Sequence, residues 1–144
     1  MSKSNTYETA QLKLLLNGTP IAGVADNAAS SPLTNLYLSL HTADPGEGAS
    51  QTTSEISYTG YARVAVARTT SGWTVDSTGI ATLVAAANFP ASTGGTGGTA
   101  SFLGLGSAAT GAGVLFYSGP ISPTISVTSG VTPQIAAGST ITED

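Results

Sequence analysis

Residues 36–48 read Leu-Tyr-Leu-Ser-Leu-His-Thr-Ala-Asp-Pro-Gly-Glu-Gly and hold the densest set of groups able to do acid–base or metal chemistry. His41 is the only histidine of the chain, with Asp44 and Glu47 close behind it. An imidazole beside a carboxylate can relay a proton, and with a serine it can activate a nucleophile. Serines are so frequent that a Ser/His/Asp set can be assembled on paper in many ways, and no Gly-x-Ser-x-Gly elbow occurs. Asp44, Glu47 and Glu55 could hold a hard cation together with loop carbonyls. Their spacing lacks the alternating oxygen ligands of a calcium loop. A plainer reading is a turn: Asp44 bonds to the backbone, Pro45 fixes φ at the next corner, and Gly46 takes the positive φ. His41 would then end a strand, on its outer face or beside Tyr37, in a structural role.

The remaining candidates point the same way. Gly94-Gly95-Thr96-Gly97-Gly98 has neither the lysine nor the following helix of a phosphate cradle, and reads as a flexible hairpin tip. Arg63 and Arg68 are the only cations of the β region, and an ion pair with Glu55 or Asp76 is the default for one of them. Tyr58, Tyr61 and Trp73 could form a sugar-binding platform, or equally a core. Asn17-Gly18-Thr19 matches a glycosylation triplet, but the start of the chain has no apolar signal core, so synthesis in a cytoplasm is expected. With no cysteine, disulfides, thiolate zinc and cysteine nucleophiles are excluded. No catalytic constellation, metal or cofactor is expected.

The elements that must position these groups are mostly strands. Charged residues make up 8 % of the 144-residue chain, against roughly 25 % in ordinary soluble domains. Residues 77–142 carry no formal charge. Serine and threonine together number 40 and glycine 18, a composition suited to strand faces and turns. A net charge of −4 with four basic residues argues against nucleic acid and against anionic lipid as partners. No apolar run is long enough to span a membrane.

One helix is expected over 6–16, capped by Asn5 with Glu8 three residues on, and stopped at Asn17-Gly18. A short strand at 20–24 is allowed. Strand 35–41 alternates Leu36, Leu38 and Leu40 with Tyr37, Ser39 and His41. A long polar loop follows at 42–59. Further strands are expected at 61–68, 73–75, 80–88, 99–105, 114–117, 121–128 and 131–136. This pattern predicts an all-β fold, an antiparallel β-sandwich or jelly-roll-like barrel of about eight strands with one short N-terminal helix. Residues 1–34 form an arm with the helix and 35–144 the β domain.

The LYLSLHTADPG string, then Tyr58-Thr59-Gly60-Tyr61-Ala62-Arg63-Val64, Phe102-Leu103-Gly104-Leu105-Gly106 and Leu115-Phe116-Tyr117-Ser118-Gly119, resembles small virion structural proteins of tailed bacteriophages. Members carry labels such as tail-fibre, head-decoration or structural protein. The resemblance implies a non-enzymatic virion component. No heptad or fixed repeat builds an elongated shaft, so capsid decoration is the first expectation: a cement protein on the capsid surface, bound to the major capsid protein. A tail or tail-fibre component is the alternative, with a tail or baseplate protein or a host surface glycan as partner. Self-association as a homotrimer fits both. Interface candidates are Tyr7, Leu12, Lys13, Asp44, Pro45, Glu47, Glu55, Tyr58, Tyr61 and Arg63.

Overall fold

The computed structural model describes residues 3–21, 24–25 and 32–142. The fold is antiparallel and mostly β. In chain order the elements are α1 (Asn5–Asn17), β1 (Asn35–His41), β2 (Val64–Ala67), β3 (Trp73–Val75), β4 (Ile80–Leu83), β5 (Ala87–Asn88), β6 (Gly98–Gly106), β7 (Leu115–Val127), β8 (Gln134–Ile135) and β9 (Thr140–Thr142). They form a sheet ordered β2-β1-β6-β7, a second ordered β3-β4-β9, and the pair β5-β8. No sheet closes into a barrel among the described residues, which is consistent with the sandwich expectation and not with the barrel. The chain divides into two compact units, one of Met1–Asn35, Ala67–Ala86 and Ile135–Asp144, the other of Leu36–Val66 and Ala87–Gln134.

In the first unit α1 packs on β3 and β4. Its cap is Ser4, not Asn5: Ser4 is extended, and its carbonyl and hydroxyl oxygens both accept from the Tyr7 N–H. Gly18 ends the helix in the left-handed region, as expected, and the Thr19 N–H returns to the Lys13 carbonyl. The last helical carbonyls also need donors. Arg68 supplies them, giving Nε to Leu15 O and Nη2 to Leu14 O, each at 2.6 Å. Leu12 and Leu16 are buried, as are Trp73, Ala81 and Leu83 of β3 and β4. The β3–β4 turn is held by Asp76, whose Oδ1 accepts from Thr78 N, Thr78 Oγ1 and Ile80 N. These bonds, the Thr78 amide first, hold its carboxyl below the usual range.

The strand expected over 80–88 is two strands. β4 pairs with β3 and β9, whereas β5 belongs with β8, and exposed residues 84–86 lie between them. Val84-Ala85-Ala86 lacks the alternation that would commit one face to a core. The strand allowed at 20–24 falls partly outside the described residues, and Ile21 and Ala25 form an isolated bridge.

In the second unit β1 lies between β2 and β6. Its register with β6 sets Leu38 against Leu105 and Leu40 against Leu103 on one face, and Ser39 against Gly104 and His41 against Phe102 on the other. The leucine face is buried as the alternation requires. The second face is buried too: Ser39 and His41 are 0 % exposed. His41 is therefore interior, not on an outer face. The cover is the 42–59 segment, which doubles back so that Thr42 N donates to Ser54 O and Ile56 N to Leu40 O. That loop is an integral layer with Gln51, Ile56 and Tyr58 inside.

β7 also departs from expectation. The strands expected at 114–117 and 121–128 are one strand, Leu115–Val127, that runs along the whole of β6, from the Gly106–Leu115 pair to the Gly98–Val127 pair. Two irregularities make this possible. Phe116 is an extra residue between the partners of Leu105 and Gly106, and residues 121–124 bulge between the partners of Phe102 and Ala100. The 94–98 glycine run is packed rather than a loose tip: Gly97 has φ +62, and a Cβ there would strike the Val127 carbonyl oxygen.

Gly104 has ordinary φ but no room. A Cβ would come within 2.5 Å of His41 Nε2 and 2.6 Å of Ser39 Oγ. Gly104→Ala should destabilise the fold by about 1–3 kcal/mol through overpacking. Gly48→Ala, where nothing lies within 4 Å, should be neutral. Equal denaturant midpoints for the two variants would refute this account of the Phe102–Gly106 string.

Candidate functional site

The groups singled out for chemistry separate into a buried polar cluster and an open groove, both within the second unit. In the cluster, His41 uses both ring nitrogens. Nδ1 lies 2.8 Å from the Thr53 carbonyl oxygen and so must be the donor. Nε2 is then an acceptor, 2.8 Å from Ser39 Oγ. Burial is the main cause that pushes the imidazole below its usual pKa of 6.5; the Thr53 bond and the Glu55 charge oppose it only in part. Asp44 is not its partner. Its Oδ1 accepts from Gly46 N at 2.9 Å, and Gly46 has φ +78, which is the turn expected from the sequence. A neutral, enclosed histidine with both nitrogens engaged offers no proton relay.

Glu55 and Arg63 form the strongest contact of the cluster. Nε meets Oε1 and Nη2 meets Oε2, each at 2.7 Å, and the side chains are 14 % and 3 % exposed. The carboxylate also accepts from the Tyr61 hydroxyl at 2.8 Å. That hydroxyl in turn accepts from Leu40 N of β1 at 3.1 Å, and burial pushes its pKa up. The free edge of the guanidinium reaches the next loop, with Nη1 on Ala108 O and Nη2 on Gly111 O. Gln51 holds the same loop, accepting from Ala108 N and donating its own N–H to Ala112 O. Its Nε2 is buried without a partner. Both Glu55 oxygens are committed, so Glu55 cannot join Asp44 and Glu47 around a cation. No group of three or more metal-ligating side chains occurs among the described residues.

The groove has a volume of about 480 Å³ and runs between the Asp44–Glu47 turn and the first half of β7. Its walls include Phe102, Phe116, Tyr117 and Pro120, with Asp44 and Glu47 at one side. The three aromatic residues are half-buried and the two acids are exposed. The extra residue at Phe116 breaks the alternation, so consecutive side chains of β7 line one groove.

The sequence candidates therefore fall in different places. Glu55, Tyr61 and Arg63 come together, with Tyr58 set edge-on to Tyr61 at 5.2 Å and bonded through its hydroxyl to Pro90 O. Asp44 and Glu47 flank the groove, while Pro45 is buried in the turn. In the first unit Tyr7 is exposed, Lys13 half-buried and Leu12 fully buried in the core of that unit. Tyr58 and Trp73 are 6 % and 2 % exposed and form no sugar platform. Sequence reasoning did not single out Phe102, Phe116 or Tyr117 as site residues. The available signal was the adjacent Phe116-Tyr117 pair, which cannot share one face of a regular strand.

The sequence model of a family described as podophage GP4 fiber I protein gp80 matches residues 2–143. No curated protein matches the chain. The family match makes the chain a phage structural component.

Removing one partner of a buried ion pair costs about 3–5 kcal/mol, and Arg63→Ala should lose stability on that scale in denaturant unfolding. Arg63→Lys should still lose about 1–3 kcal/mol, because an ammonium cannot make the two-pronged contact and reach both carbonyls. A wild-type midpoint for Arg63→Lys would show that charge alone suffices. His41 supplies a pH dependence. Below 6.5 the unfolded chain takes up a proton that the folded chain refuses until its own lower pKa is reached, so stability falls as pH falls through that window. The slope should reach at most about 1.4 kcal/mol per pH unit and should vanish in His41→Gln. Superimposable pH profiles for the two proteins would contradict a neutral buried imidazole.

Proposed function

We propose that this chain, which belongs to the podophage GP4 fiber I protein gp80 family, is a non-enzymatic component of the tail fibre that takes part in host attachment. The observation that carries the reading is the family match across nearly the whole chain. It favours the tail-fibre alternative over capsid decoration, the first expectation from the sequence. Two features of the side-chain chemistry support the reading of a passive role. The imidazole is sealed and neutral, and the Glu55 carboxylate is neutralised by Arg63.

The neutral stretch 77–142 suits a protein that meets neighbours through hydroxyls, backbone and apolar atoms, since interface cores are depleted of charge. Such contacts vary little with ionic strength. A fibre component works outside the cell at whatever salt the surroundings provide, so this independence is useful. Self-association as a homotrimer and a tail or baseplate protein as neighbour complete the reading.

Gold-labelled antibody against the chain should decorate the tail of intact virions and leave the head bare. Particles lacking the protein should keep filled heads of normal thermal stability and lose adsorption to the host. Label over the head, or heads that rupture at a lower temperature without the protein, would return the chain to capsid decoration.

A further inference from the structure

We propose that the groove between the Asp44–Glu47 turn and β7 is a saccharide site, selective for a pyranose that carries a free amino group. The inference rests on the fibre reading and names the class of host-surface ligand that reading requires. Three features of the groove carry it.

The walls supply flat apolar surface at the right scale. Phe102, Phe116 and Tyr117 each present a half-buried ring, and about 480 Å³ lies in the range of sites for small ligands. The C–H face of a pyranose packs on such rings, while its hydroxyls remain free to hydrogen-bond at the rim.

The rim is acidic and uncompensated. Glu47 makes no hydrogen bond or ion pair among the described residues, and Asp44 commits only Oδ1 to its turn. The unit holding the groove contains Asp44, Glu47 and Glu55 against Arg63, three acids to one base, and Arg63 is already bound to Glu55. The two rim carboxylates thus accept from sugar hydroxyls and attract an ammonium group, which the aromatic faces also favour. An anionic sugar would meet like charge with no cation to relieve it.

The neighbouring strand edge is unsuited to a peptide. A strand that docks by extending the sheet needs a continuous ladder of backbone groups. Along this edge Phe116 is an extra residue, Pro120 has no N–H, and residues 121–124 bulge. Recognition by side chains around a compact ligand remains.

The test is titration of the full chain, followed by amide NMR at about pH 6, where such amines are charged. The probes are a β-1,4-linked glucosamine trimer, its fully N-acetylated counterpart, a galacturonic acid trimer and trilysine. The glucosamine trimer should shift the amides of Phe102 and Leu115–Gly119. The acetylated trimer should bind about tenfold more weakly, and the anionic trimer and trilysine should not bind at millimolar concentration. Glu47→Gln, at an exposed position, and Tyr117→Ala should each weaken glucosamine-trimer binding about fivefold or more. Should Tyr117→Ala fail to fold, Glu47→Gln decides. Absence of glucosamine-trimer binding, equal binding of the saccharides, binding of trilysine as tight as that of the sugar, or no effect of Glu47→Gln would overturn the proposal. The location test fails independently. Tail label without sugar binding removes the groove's role and keeps the fibre, whereas sugar binding with head label does the reverse.

Discussion

A guanidinium and a carboxylate withdrawn from water must satisfy each other and their remaining lone pairs and protons, or the fold that buries them is penalised by several kcal/mol. In the second unit that constraint centres on Glu55 and Arg63. Arg63 follows the long loop and Glu55 lies within it, so their pairing folds the loop back over β1. The remaining donors of Arg63 then reach Ala108 and Gly111, and the Tyr61 hydroxyl completes the carboxylate's shell and bonds to β1. One contact thereby orders two loops and closes the face of the sheet that carries Ser39 and His41. Gly104 and Gly106 are small because that face is filled by His41, Ser39 and Gln51.

The first unit places a cation at the end of its helix. Arg68 donates to the last carbonyls of α1, where the helix is both short of donors and negative in potential. Elsewhere the chain satisfies polar backbone groups through Asx-type turns at Asp44 and Asp76 and through serine and threonine hydroxyls. A protein with so few ionised groups can place each of them where it organises structure. Glu47 and the second oxygen of Asp44, without a partner among the described residues, lie at the rim of the aromatic groove.

Much of the local structure was legible. Leu12, Leu16 and Gly18 announced α1 and its end, although Ser4 took the cap from Asn5. The alternation of 36–41 identified β1, and Asp44-Pro45-Gly46 announced its turn. β3, the start of β4, and β6 followed from short apolar runs between turn residues. Less of the candidate site could be read. The Glu55–Arg63 pair was one of two pairings open to Arg63, and the groove was missed because its walls come from β6 and β7, paired in a register that two bulges interrupt. The same bulges joined two expected strands into one.

By itself, the sequence determined what depends on neighbours along the chain: helix caps, turn chemistry, the two-residue period of the strands, and the scarcity of charge. Only the tertiary structure decided which faces are covered. Alternation marks Ser39 and His41 as the face opposite the leucines, but whether water or protein lies there depends on a segment that returns from residues 50–55. Burial is set by contacts between residues far apart in sequence, and no local period encodes them. For that reason a histidine that reads as a surface residue is sealed inside, and the aromatic groove emerges only where β7 slips past β6.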